Sequence, residues 1–374
     1  MNFKKLSLVT AVGAALVGCC ADDQAYETVS KPDQQFAKSN IKTDQVYLFM
    51  PSLAKAPKYA VSMKPFYPGQ EKLVTLSFEG SFDNDSSGGL KATLLNPDLI
   101  SQNEIDDGKL GRWLDEQSNA QPILTIPGDF VDYQCREDSY GDCTNKEEKV
   151  DNNEVPWDKR NYFLPKFANV KVHQYNWVEP SRLDTCYSKS GDAKLVSNSE
   201  SGWKGYEVTS DGVINFEIEQ SYKVKDGYCL FKEYFQQGMD LDNLSFTVSQ
   251  FYSLVPLDLV RSKSDEYEPI VYQRYDSDRF GYFANKVGRP DVSYSRNEWD
   301  NEFEYLHRFN PNKDVIDYHL SDSFDVNEET KFFKKVTQET IERMNGQLSK
   351  VGVPHIKLHE PSGKHAGDLR YNVI

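Results

Sequence analysis

Six histidines, at positions 173, 307, 319, 355, 359 and 365, are the side chains of this 374-residue chain best suited to metal chemistry. A helical zinc site takes two His four positions apart, so that both imidazoles share one face, with a Glu beside the first to activate water. His355 and His359 have that separation, and Glu360 follows the second. Pro354 precedes them, however, and Ile356 and Leu358 alternate with polar neighbours, which is the period of a strand. Four residues of strand span about 13 Å, too far for one ion. Pro361 and Gly363 then bar any helix that would start at His359. The expectation is a chain with no catalytic residue and no metal ligand set, whose histidines face solvent from strands and turns.

Other chemistries fit no better. Asp83-Asn-Asp85-Ser-Ser-Gly88 opens like a calcium loop, but Leu94 stands where a bidentate Glu is needed, so an Asx-rich hairpin turn is preferred. Asp240/Asp242 and Asp276/Asp278 are similar fragments, so calcium is only a weak alternative. Trp113, Trp157, Trp177, Trp203 and Trp299 could stack on sugars, yet aromatics at strand positions ordinarily belong to the core. A glycosidase-like carboxylate pair forms by tertiary proximity, which spacing does not reveal. There is no Gly-x-Ser-x-Gly elbow and no phosphate-cradling loop.

The N-terminus points to export. Met1 to Lys5 is a basic start, Leu6 to Gly18 an apolar run, and Leu16-Val-Gly-Cys19 a lipobox, so residues 1–18 are expected to be a lipoprotein signal peptide and Cys19 the lipidated residue. Thirteen residues are too few to span a bilayer; acyl chains on Cys19 would contribute about 0.8 kcal/mol per buried methylene. Cys20 rather than Asp after the cleavage site favours the outer membrane if the cell has one. Residues 19–43, polar and without apolar period, are expected to be a tether. Four cysteines remain. Cys135 and Cys143 bracket a turn with Gly141, which favours a local bridge and leaves Cys186 with Cys229; a zinc site of all four thiolates competes, without any C-x-x-C pair. The formal charge of −15, made more negative by loss of Lys4 and Lys5 on processing, argues against nucleic acid as a partner.

These features must be carried by an α+β chain. Runs rich in Val, Ile, Tyr and Phe, such as 45–50, 73–78, 90–95, 121–126, 213–222 and 245–254, are separated by Ser87-Gly-Gly89, Pro127-Gly128 and Asp211-Gly212, and predict a β-rich domain of packed antiparallel sheets over residues 44–310. Residues 311–374 read differently. Val315 to Leu320 alternates, Asn327 can cap a helix whose Phe333, Val336, Thr340, Met344, Leu348 and Val351 recur at three- or four-residue steps to a Gly352 C-cap, and His355 to His359 alternates again.

Leu358-His-Glu-Pro-Ser-Gly-Lys-His-Ala-Gly-Asp-Leu-Arg-Tyr-Asn-Val-Ile374 resembles a segment of large bacterial exported zinc-dependent metalloproteases. Tyr47-Leu-Phe-Met-Pro51, Leu124-Thr-Ile-Pro-Gly128, Tyr140-Gly-Asp-Cys-Thr-Asn-Lys-Glu-Glu148, Arg308-Phe-Asn-Pro-Asn-Lys313 and Tyr318-His-Leu-Ser-Asp322 resemble further blocks of that family. The resemblance implies that the strand, helix and strand of 311–374 open a metzincin-like catalytic domain, that protein or peptide is the substrate of the intact family, and that the zinc-binding His-Glu-x-x-His motif lies beyond residue 374. The chain alone is then expected to be inactive, with its helix stripe half covered. Two functions follow: the N-terminal, non-catalytic part of a lipid-anchored metalloprotease, which is preferred, or a cell-envelope lipoprotein acting as a β-rich binding or structural module.

Overall fold

The computed structural model describes residues 25–55, 72–80, 87–95, 122–151, 155–172, 187–199, 201–225, 245–261, 270–272, 283–288, 302–307, 310 and 312–374. In chain order the first strands are β1 (Phe36–Ala37), β2 (Val46–Lys55), β3 (Lys72–Gly80), β4 (Ser87–Leu94), β5 (Pro122–Val131), β6 (Tyr133–Glu137) and β7 (Cys143–Lys149). They are followed by β8 (Tyr162–Pro165), β9 (Lys171–Val172), β10 (Tyr187–Leu195), β11 (Tyr206–Val208), β12 (Ile214–Val224) and β13 (Ser245–Pro256). After the short helix α1 (Leu257–Arg261) come β14 (Ala284–Gly288), β15 (Glu302–Leu306), β16 (Val315–His319), the long helix α2 (Glu328–Leu348) and β17 (His355–His359).

The chain is mostly β, as its alternating apolar runs predict, but its main body is one eleven-stranded antiparallel sheet in the order β1-β8-β5-β4-β3-β2-β13-β12-β10, with β9 on β5 and β11 on β12. The sheet curls. Phe167, just after β8, stacks on Phe216 of β12 with ring centroids 4.9 Å apart. Six strand spacings of a flat sheet would separate those strands by roughly 29 Å. Curling lets one concave face close on a single core that runs from Phe36 and Phe163 through Phe49, Val74 and Ile126 to Tyr252. Each fully buried Phe or Leu there contributes about 1.5–3 kcal/mol.

Two of the expected turns lie inside strands. Ser87-Gly-Gly89 belongs to β4 and Pro127-Gly128 to β5, where Gly88 pairs with Gly128 and Gly89 with Pro127. The reason is close packing: a Cβ on Gly128 would collide with the Phe163 ring and Leu164 O, and one on Gly88 with Glu79 O and the Phe130 ring. These glycines make room for the cluster in which Phe130 lies 5.2 Å from Phe163 and 5.0 Å from Trp157. Asp211-Gly212 is a true turn, with Gly212 at φ 100°.

The tether expected over 19–43 is corrected for its described part. Phe36 pairs with Phe163, and Phe36 and Ile41 are buried in the core, so these two apolar side chains fix the segment to the sheet although no periodic pattern surrounds them. Residues 1–24, with the signal peptide and Cys19, lie outside the described residues.

Cys135 and Cys143 form a disulfide across the β6–β7 hairpin, with Cα atoms 5.4 Å apart; Cys186 and Cys229 lie outside the described residues. Closing this short loop constrains the unfolded chain by about 2–3 kcal/mol. The double Ser variant is therefore expected to lose that much unfolding free energy in a denaturant titration, and a difference under about 0.5 kcal/mol would mean the hairpin holds itself together.

β13 is buried along nearly its whole length, unlike a strand with one wet face. Tyr252 and Leu254 enter the core, while Phe251 and Ser253 face the other way and are covered by the C-terminal residues: His365 stacks on Phe251 at 5.6 Å, and the Leu369 amide donates to Ser253 Oγ at 3.2 Å.

Candidate functional site

β16, α2 and β17 form a parallel β-α-β unit, with Val315 opposite His355 and His319 opposite His359. The helix starts where its sequence says it should. Asn327 Oδ1 accepts from the Thr330 amide while Thr330 Oγ1 accepts from the Asn327 amide, a reciprocal capping box, and Glu328 and Glu329 occupy the positive end. Its last residue is Leu348 with Ser349 as C-cap, so the expected Gly352 cap is corrected: Gly352, at φ 67°, makes the turn that follows. No helix residue is buried, and Phe333, Val336 and Met344 are each at least 40% exposed. Polar clamps hold α2 instead. The Asn345 amide makes two 2.7 Å hydrogen bonds to the backbone of Ile356, and Lys334 bridges Asp325 and Glu360.

A third parallel segment completes this small sheet. The His319 amide donates to Asn372 O at 2.8 Å, and the Ile374 amide returns to His319 O at 2.9 Å, which makes β16 central and buries His319 to 8% exposure. The cross-strand register then gathers groups that are far apart in sequence. The rings of His319 and His359 stack at 4.5 Å with 16° between their planes. His359 Nε2 lies 2.6 Å from Asp317 Oδ1, and Lys364 Nζ lies 3.3 Å from each nitrogen of His319 and 4.2 Å above the Tyr371 ring. Asp317, His319, His359 and Tyr371 of this cluster line a cavity of about 750 Å³ whose apolar wall includes Leu259, Val260, Ile316 and Leu369.

The electrostatics are set by that crowding. Asp317 is held below the usual carboxylate range, chiefly by its hydrogen bond with His359. His319 is held below the usual imidazole value, first by burial and then by Lys364 and His359; burial does the same to His365. A neutral His319 can accept a hydrogen bond from the Lys364 ammonium. The Asp317–His359 pair can orient one imidazole nitrogen and support proton transfer at the other. Near-parallel stacked rings, by contrast, do not converge their nitrogens on one ion. Among the described residues no group of three His, Cys, Asp or Glu could hold a metal. The geometry of this described cluster therefore does not suit zinc.

The two imidazoles make a testable pH dependence. The unfolded chain takes up protons on ordinary histidines near pH 6.5, before the folded chain does, so stability is complete above that value and is lost as pH falls below it. Asp317 acts in a lower window: its contribution is present above the ordinary carboxylate range and disappears as pH falls through it. Melting is expected at lower temperature at about pH 5 than at about pH 7.5, and His365→Phe, which keeps the ring stack, should reduce the difference. An unchanged pH slope in that variant would remove His365 from the account.

The expectation of solvent-facing histidines holds for His355 and His307 and is corrected for His319 and His365, which packing across strands has enclosed. His173, Trp113, Trp177 and Trp299 lie outside the described residues, as do Asp83, Asp85, Asp240, Asp242, Asp276 and Asp278 of the calcium alternatives. Trp157 packs against the core, as expected of a strand-region aromatic, whereas half-buried Trp203 lines a cavity beside the C-terminal segment. Spacing carried no signal for that second cavity, because Trp203 and Asn215 flank one hairpin while Arg370 lies far along the chain.

Comparison with protein-family models, with curated proteins and with solved structures gives no match to this chain. No described helix is long and apolar enough to cross a membrane.

Proposed function

We propose that this chain is the N-terminal, non-catalytic region of a lipid-anchored, exported zinc-dependent metalloprotease, held on the cell envelope, and at the outer membrane where one exists, through acylated Cys19. The observation that supports it best is the parallel β16-α2-β17 unit, which stands where the metalloprotease resemblance implies the opening of a catalytic domain and is clearly distinct from the antiparallel sheet before it. The half-exposed apolar stripe of α2 is what a helix awaiting further packing would show. On this reading the curled sheet positions protein or peptide substrate, while zinc and its histidines belong to another part of the protease.

Two experiments bear on it. The coding sequence after the Ile374 codon is expected to continue in one frame into His-Glu-x-x-His, and its absence from all three frames would sink the proposal. The purified chain with added zinc is expected to leave casein intact; turnover stopped by a chelator would overturn the non-catalytic role.

A second reading, a cell-envelope lipoprotein whose β-rich fold is a binding or structural module, is favoured by a different observation. Residues 362–371 do not hang from the sheet but clasp it, with Arg370 joined to Glu207 and Leu369 to Ser253. Under limited trypsin digestion a uniformly resistant chain supports this module, and early loss of 314–374 supports the protease part.

A further inference from the structure

Between the outer face of β11, β12 and β13 and the clasping residues 362–371 lies a second cavity, of about 390 Å³, within the size range of small-molecule sites. Four buried side-chain atoms among the described residues have no hydrogen-bond partner: Trp203 Nε1, Tyr206 Oη, Asn215 Oδ1 and His365 Nε2. Trp203, Asn215 and His365 gather in this cavity on the outer face of the sheet, whereas Tyr206 touches its edge but stacks on Phe167 of the core and lines a neighbouring pocket beside Asp33. Leaving such an atom unpaired costs about 1–3 kcal/mol, so the gathering of three at one place points to a ligand that pairs them. Asn215 is only 1% exposed, which makes it part of the built wall rather than of a mobile surface.

The chemistry of the three cavity atoms selects the ligand. An indole N–H only donates, an amide oxygen only accepts, and a neutral imidazole does either. Anions would satisfy only the donors and ammonium groups only the acceptors; hydroxyl groups satisfy both. Two of the three cations in the wall are matched by carboxylates, and the third, Lys364, is held by the His319 nitrogens and the Tyr371 ring. Arg370 is held by Asp368 and Glu207, and Lys204 Nζ is 3.1 Å from Asp33. The remaining wall is aromatic, with the His365 ring 4.2 Å from Trp203 and 5.6 Å from Phe251, an apolar surface suited to the C–H face of a ring. Exposed Ser362 and Gly363 form part of the rim. We infer that this cavity binds a neutral, hydroxyl-rich ring, a hexose-sized unit of a glycan, and that Trp203, Asn215 and His365 are its recognition residues. The site lies between the β-rich body and the C-terminal clasp and is built by residues of this chain, so it does not depend on whether a protease follows.

The test uses the full lipidated chain in a detergent without a sugar headgroup, titrated with neutral hexoses, N-acetylhexosamines and short oligomers and followed by saturation-transfer NMR and calorimetry. Saturable binding of at least one neutral sugar is expected. Trp203→Phe, which keeps the ring and removes the donor, and His365→Phe, which keeps the ring stack and removes the nitrogen, should each weaken it about five- to tenfold, the value of one hydrogen bond, while far-UV circular dichroism stays unchanged. Absence of a saturable signal up to about 10 mM, a weak limit on the affinity scale, would overturn the inference. So would equal affinity of both variants, or tighter binding of charged sugars, inorganic phosphate or peptides than of any neutral sugar.

Discussion

Arg370→Ala is expected to release residues 360–374 from the sheet and to destabilise the chain by about 3–5 kcal/mol, the cost of stripping a buried charge of its partner. Arg370 Nε lies 3.0 Å from Asp368 Oδ1, Nη2 lies 2.7 Å from Asp368 Oδ2, and Nη2 also reaches Glu207 on β11. Asp368 is 5% exposed, so truncating the arginine leaves a carboxylate with no water to replace it. Burial alone would pull the guanidinium pKa down, but Asp368 and Glu207 more than offset it, and the group stays charged. The same change should reach β16, because Asn372 and Ile374, just beyond Arg370, complete the hydrogen bonds of His319. Hydrogen exchange at His319, Ser321 and Ile374 is the direct measurement, alongside urea unfolding. Arg370→Lys should recover only part of the loss, since an ammonium lacks the planar fork. If Arg370→Ala shifts stability by less than about 1 kcal/mol, the clasp is a surface ornament and not a structural joint.

Arg160→Met should cost about 3–4 kcal/mol although it removes a charge from the interior and roughly keeps the volume. Arg160 is 1% exposed and acts as a backbone tie: Nε donates to Val155 O at 2.9 Å, Nη1 to Phe130 O at 3.2 Å and Nη2 to Asp151 O at 2.7 Å. The Phe130 bond is fully buried, and its carbonyl would be left without a donor. The other two are partly buried, so water can recover some of their share, which keeps the total below the sum of three unmet acceptors. Denaturant unfolding of the variant, read with m held constant, checks the number. A loss below about 1 kcal/mol would show that water enters the site freely.

The β class of this chain was legible because half-buried strands write their faces into the sequence with period two, and the strands near 46, 73, 90, 122, 214 and 245 stand where those runs predict. The capped helix from Glu328 and the strands on either side were legible for the same local reason: Asn327 and the apolar steps act within a turn or two of chain. So was the Cys135–Cys143 bridge, whose loop is short enough for proximity to follow from sequence. Gly88 and Gly128 misled because a glycine that bends a turn and a glycine that admits a ring look alike until Phe130 and Phe163 are placed.

What the residues could not declare by themselves is who meets whom across the sheet. His319 and His359 are forty positions apart and stack only because a parallel register sets them opposite each other, and Asp317 joins them by the same register. Trp203, Asn215 and His365 become one cavity wall only when the C-terminal residues fold back over β13. Local composition fixes secondary structure through backbone geometry, which repeats over a few residues. Sites are made by long-range pairing, whose register is decided by burial of the whole sheet, and that energy is not written at any single position.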